Sequence, residues 1–183
     1  CYNSPYREHL KAMALELARL YPLKGFFFDC MGPFPCVCPH CVPLMQKEGL
    51  EPGKLQDVIS FAAASASKLA DELACGLRKV NPDYLFYFND IEFENQKKAG
   101  NYLEFECLPS KSGGYLYMQA VPRYIRTLGK PCVHMTGRFH SWSDFGGLRN
   151  LESLKYELLF AMVNGLRPNI GDHLLPEGSI NEA

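Results

Sequence analysis

Five carboxylates stand where chemistry could be done: Asp29, Glu104, Glu106, Asp144 and Asp172 each fall at the end of a short apolar run or in the loop beyond one. Hydrolysis of a glycosidic bond needs two such groups, one to attack or stabilise the oxocarbenium-like carbon and one to protonate the leaving oxygen. Tyr87, Phe139, Trp142 and Phe145 could stack on a sugar face from the same segments, and Asn89, His134, His140, His173 and Arg138 could bond hydroxyls. Each histidine also reads as an ordinary surface or core residue, and each aromatic as core filler.

Asp29 closes the run Gly25-Phe26-Phe27-Phe28 and opens a Gly/Pro/Cys loop. A short run apolar on both faces reads as a buried strand of a parallel sheet, and an acid at its carboxyl end lies where α/β folds bind ligands. An Asp that merely caps a turn is the alternative. In the loop, Cys36, Cys38 and Cys41 with Cys30 upstream offer four soft ligands to one tetrahedral zinc. A complete zinc ribbon pairs two separated knuckles, so a merely thiol-lined loop is the other reading.

The elements that must carry these residues alternate. Ser4-Pro5 signals a helix start, with Ser4 as N-cap and Tyr6, Leu10, Met13, Leu17 and Leu20 as its apolar stripe. Strands are expected at 25–29, 83–89, 102–108, 131–136 and 167–171. Between them fall a turn of helix at 44–48 and a long Ala- and Leu-rich helix over 54–80. Segment 90–101 reads as a polar loop. A helix with Pro122 inside, which predicts a kink or a late start, covers 115–128. A final helix, capped by Asn150, carries Leu151, Leu154, Leu158, Met162 and Val163. Glu104 and Glu106 share a strand face because side chains alternate.

Alternating units imply an α/β fold with a parallel sheet, doubly wound or closed as a barrel. No glycine-rich phosphate turn follows the first strand. Every strand instead ends on a polar or acidic residue: Asp29, Asn89, Glu106, Thr136, Asp172. That is how a (β/α)8 TIM barrel builds its site. Five strands fall short of eight, so the chain reads as the C-terminal portion of such a barrel, about strands four to eight, in a single domain over 1–183. Five strands cannot close, so apolar surface should stay uncovered within this chain.

The 183 residues, 47% hydrophobic with a formal net charge of -1, carry no basic stripe and no apolar span of bilayer length. Neither nucleic acid nor a membrane is expected as a partner. The chain opens without an initiator Met and reads as a fragment of something longer. Eight cysteines in a chain this rich in core residues point to a reducing, cytoplasmic setting rather than a disulfide scaffold.

Taken as an ordered set, Asn3-Ser4-Pro5-Tyr6-Arg7, Gly25-Phe26-Phe27-Phe28-Asp29 with Cys36-x-Cys38-Pro39-x-Cys41, Leu103-Glu104-x-Glu106-x-Leu108-Pro109, Met135-Thr136-Gly137-Arg138-Phe139-His140 with Asp144-Phe145-Gly146-Gly147, and Gly171-Asp172-His173 resemble a bacterial family of glycosyl hydrolase barrels. That family is allied to α-L-fucosidases and to trimeric β-galactosidases. The resemblance implies a glycosidase of carbohydrate metabolism, most like an α-L-fucosidase and retaining. It further implies a carbohydrate substrate, no required cofactor, and a homo-oligomer, possibly a trimer, in the full-length protein. An Asp ending the fourth barrel strand is the nucleophile in retaining relatives, which matches Asp29. Glu106 is the first choice for the acid/base, Glu104 a deeper buried acid, and Asp144 the loop alternative. Asn89, His134, Arg138, His140, Trp142, Asp172 and His173 would complete the substrate contacts. The related β-galactosidases carry a structural cysteine cluster similar to Cys30, Cys36, Cys38 and Cys41. The rival readings are a β-galactosidase-type hydrolase, a carbohydrate-binding barrel without chemistry, and a metal-ribbon interaction module.

Overall fold

The computed structural model describes residues 1–109, 114–142, 144 and 146–180. Phe145, one of the aromatics expected to stack on a sugar, and residues 110–113 lie outside the described residues. The chain forms two compact units, Cys1–Asn101 and Tyr102–Ala183.

The first unit runs α1 (Tyr6–Leu20), β1 (Gly25–Phe28), α2 (Val42–Lys47), α3 (Leu55–Arg78), β2 (Leu85–Phe88) and α4 (Phe93–Ala99). β1 and β2 pair in parallel, Gly25 opposite Leu85 and Phe28 opposite Phe88. Side-chain alternation sends Phe26, Phe28, Phe86 and Phe88 to one face, where they join Leu69, Leu73 and Leu77 of α3 in the core. The aromatic pairs there are stacked, Phe28 on Phe88 with centroids 5.0 Å apart, and each contributes about 0.5–1.5 kcal/mol beyond its buried area. The other face differs from the expectation of a strand buried on both sides: Phe27 and Leu85 stay about half exposed. Gly25 is required by close approach, since a methyl there would overlap the Leu85 carbonyl.

α1 begins one residue later than its capping signal implied. Pro5 holds the N-cap position and the Ser4 hydroxyl accepts the Tyr6 N–H. Its buried face is Ala14 and Ala18, not the expected apolar stripe, and Leu20 is 65% exposed. Small residues bring α1 close to α3, whose Ala70 and Ala74 lie in the same cluster, and Arg7 pairs with Glu72 at 2.8 Å.

α4 replaces the expected polar loop. Its buried positions are Gln96 and Ala99, and Gln96 is held by donating to the Phe88 carbonyl at 2.9 Å. A helix docked by an amide leaves no hydrophobic period to detect.

The second unit runs β3 (Leu103–Glu106), α5 (Gly114–Ile125), a 3-10 turn (Arg126–Leu128), β4 (Cys132–Gly137), α6 (Leu151–Val163) and β5 (Arg167–Gly171). The strands are parallel in the order β3-β4-β5. α5 runs through a buried Pro122, and the 3-10 turn that follows it ends at Gly129, whose φ of 74° suits a residue without Cβ. Asn150 caps α6 by accepting the Ser153 N–H at 2.8 Å. The Leu/Met stripe expected to bury α6 does not: Leu151, Met162 and Val163 are exposed, while Glu157 and Ala161 are buried. Apolar residues are spread around α6 rather than gathered on one side, so no stripe defines its inner face. A polar anchor does, because the Glu157 carboxylate accepts from Arg149 and, at 2.7 Å, from the Thr136 hydroxyl.

Helix and parallel strand alternate as expected. Closing a barrel takes more strands than these two sheets contain.

Candidate active site

In the first unit the chain turns sharply two residues past each strand end. Cys30 has φ 53° and Asp90 φ 67°, left-handed conformations that disfavour residues with a Cβ. Such local strain recurs at functional sites. The turns leave Asp29 and Asn89 displayed at the carboxyl ends of β1 and β2, on the face opposite the phenylalanine core by parity. Asp29 is exposed, and Asn89, buried, donates from Nδ2 to its Oδ1 at 2.9 Å. The backbone ties the turns together: the Asn89 N–H donates to the Phe28 carbonyl, and the Met31 N–H to that of Asn89.

In the second unit, register and parity decide which residues share a face. Glu104 lies opposite Val133, Glu106 opposite Met135, and Met135 opposite Asn169. Glu104, Glu106 and Asn169 therefore point the same way, and Asn169 donates to Glu104 at 2.8 Å. Glu104 is 2% exposed. Burial pushes its carboxyl up, partly opposed by hydrogen bonds from Asn169 and Tyr102 and reinforced by the negative charge of Glu106. Glu106, nearer the strand end, is half-buried and accepts from the indole N–H of Trp142. Arg138 and Asp172 form an ion pair at 2.9 Å just past β4 and β5, and His173 packs on Phe139 with centroids 5.0 Å apart. His140 is exposed, and so is Asp144, whose carboxylate lies against Gly147.

His134 does not join this group. Its parity is that of Phe105, on which it stacks at 4.8 Å, and it is wholly buried with no partner on either ring nitrogen. Thr136 shares that face and is spent on Glu157 and Arg149. Burial, chiefly, drives the His134 pKa down to about 4, so it is a neutral core residue rather than a ligand for sugar hydroxyls.

The cysteine cluster is Cys1, Cys36, Cys38 and Cys41, their sulfurs all within 4.8 Å of one another. Cys30, at the left-handed bend, lies outside that group. Cys1 arrives instead because Tyr2 donates to the carbonyls of Cys30 and Gly32 while Asn3 donates to Ser65 at 2.9 Å. Cys1 Sγ is 3.5 Å from Cys38 Sγ and 3.4 Å from Cys41 Sγ. Four thiolates about 2.3 Å from one zinc would stand roughly 3.8 Å apart, so the donor set fits that ion. The His40 backbone N–H, above all, lowers the Cys38 thiol to about 7, and burial pushes the Cys41 thiol up. All eight cysteines are free of disulfides.

Over 99% of its length the chain aligns with an α-L-fucosidase, isoenzyme 2 from Paenibacillus thiaminolyticus, with a TM-score of 0.90 and 30% identity. Its kinship is with glycosyl hydrolases related to fucosidases. The chain spans 28% of that fucosidase. The glycoside hydrolase domain of PgaB (BpsB) from Bordetella bronchiseptica aligns over 92% of the chain and 58% of its own, with a TM-score of 0.66 at 12% identity, a likeness of fold. No protein-family model and no curated protein matches. Against this glycosyl hydrolase kinship, four residues beside the candidate groups escaped the sequence reading: Cys1, Arg149, Glu157 and Asn169. None has a motif spacing, and only Asn169, one strand from Met135 in register, follows from strand parity once the pairing is known.

Proposed function

We propose that the chain is part of a glycoside hydrolase catalytic domain, α-L-fucosidase-like and retaining, corresponding to about strands four to eight of a (β/α)8 barrel. The observation that carries this is the alignment of nearly the whole chain with a fucosidase at a TM-score of 0.90. The display of acids at the carboxyl ends of parallel strands supports it.

In this reading the Asp29 carboxylate attacks the anomeric carbon as Glu106 gives its proton to the departing glycosidic oxygen. A glycosyl ester forms on Asp29, and water, losing its proton to Glu106, cleaves it with net retention. Asn89 orients the nucleophile. Arg138, Asp172, His173 and His140 are the proposed contacts for sugar hydroxyls. Glu104, buried beneath Glu106, is held in place by Asn169. The substrate is a carbohydrate with a terminal fucose or a closely similar sugar. No helix among the described residues is long and apolar enough to cross a membrane.

We assign structural zinc to Cys1, Cys36, Cys38 and Cys41. Bound there, it would fix the loop that follows Asp29 and take no part in the chemistry.

In the full-length enzyme Asp29→Asn should reduce turnover of an aryl α-L-fucoside to background without loss of folding. Proton NMR of the first sugar released by the wild type should give the α anomer. Undiminished turnover by Asp29→Asn would remove Asp29 from its role, and a β product would replace retention by inversion.

A further inference from the structure

Trp142 lies against backbone. β4 and β5 both end in glycine, and Gly137 and Gly171 are register partners. A methyl group on either would meet Cζ3 and Cη2 of the Trp142 indole, and at Gly171 it would overlap the ring outright. Neither glycine has a left-handed φ, so space is the reason for both: for the indole at Gly171, and for the indole together with Leu108 Cδ2 at Gly137. From this seat the indole N–H donates to Glu106 Oε1.

We infer that Trp142 is the positioning residue for Glu106, seated on the Gly137–Gly171 pair, rather than a stacking platform for the sugar. The inference rests on Glu106 being the acid/base. Indole nitrogen donates and cannot accept, so its bond commits Oε1 to accepting and leaves Oε2 to carry the proton. In the glycosylation step the Oε2–H bond breaks and the proton goes to the glycosidic oxygen, which keeps the electron pair of the broken C–O bond. The carboxylate left behind is stabilised by a charge-assisted bond from the indole. In the second step Oε2 recovers a proton from water. A ring packed on strand backbone cannot swing, which holds Glu106 in one rotamer throughout.

Trp142→Phe in the full-length enzyme keeps the ring and deletes the donor. On a fucoside whose leaving group needs a proton, kcat/KM should fall about tenfold or more. On a dinitrophenyl-type fucoside, which leaves without one, it should hold, with KM unchanged on both. Gly171→Ala, which displaces the indole, should reproduce the pattern. Equal losses on both substrates, or a rise in KM alone, would return Trp142 to sugar stacking and overturn the inference.

A readout free of activity comes from the 183-residue chain, in which Trp142 is the only tryptophan. Its emission maximum should shift in Glu106→Leu, which deletes the acceptor, and hold in Glu106→Gln, whose side-chain carbonyl still accepts the indole N–H. An unchanged maximum in Glu106→Leu, or an equal shift in Glu106→Gln, overturns the contact even in an active hydrolase. The expected pattern in a protein without glycosidase activity leaves the contact and sinks the hydrolase reading.

Discussion

Asn89 Nδ2 donates to Asp29 Oδ1 at 2.9 Å, joining the carboxyl ends of two neighbouring parallel strands. The bond fixes one carboxylate oxygen and leaves the other free to react. Left-handed residues at Cys30 and Asp90 hold both strand ends in this posture.

Replacing Asn89 should grade the loss of activity. Asn89→Ala removes a hydrogen bond to a charged group, about 1.5–3 kcal/mol and so roughly ten- to hundredfold in kcat/KM. Asn89→Asp should cost more, because two carboxylates at hydrogen-bond distance resist being ionised together. Steady-state kinetics on an aryl fucoside checks the order; Asn89→Asp as active as wild type would contradict it.

Metal content should separate Cys1 from Cys30. Purified wild-type chain is expected to hold one zinc by elemental analysis. Cys1→Ser and Cys41→Ser should lose it, and Cys30→Ser should keep it. Retention by Cys1→Ser with loss by Cys30→Ser would restore the set suggested by spacing alone.

His134 should make the fold acid-sensitive. Its folded pKa is depressed to about 4 from an ordinary 6.5, with burial as the main cause. Stability from the neutral ring is therefore complete above pH 6.5 and lost as pH falls toward 4, by roughly 3 kcal/mol for a shift of this size. Glu104, pushed the other way by burial, loses stability as pH rises through its own range. Urea unfolding of His134→Leu between pH 7 and pH 4 should show a shallower acid slope than wild type, and an unchanged slope would refute the assignment.

The strands were legible because Phe26, Phe28, Phe86 and Phe88 are short apolar runs ending at Asp29 and Asn89. The long α3 and the Asn150 cap were legible from Ala/Leu periodicity and a capping side chain. α4 was hidden because an amide, Gln96, docks it. The inner faces of α1 and α6 were misjudged because alanines and an ion-paired Glu157 are buried where larger apolar residues are exposed. His134 was placed with the sugar contacts because its parity against Glu104 and Glu106 depends on the register of β3 with β4, which only the fold supplies. Cys1 was missed because its approach to Cys38 and Cys41 is set by Tyr2 and Asn3 bonds across the chain.

The most direct test is to trap the glycosyl ester. Full-length enzyme incubated with a 2-deoxy-2-fluoro-fucosyl fluoride, then digested and mapped by mass spectrometry, should carry one fluorosugar on the peptide containing Asp29. A label on any other carboxylate, or an active enzyme that is never labelled, would contradict the account.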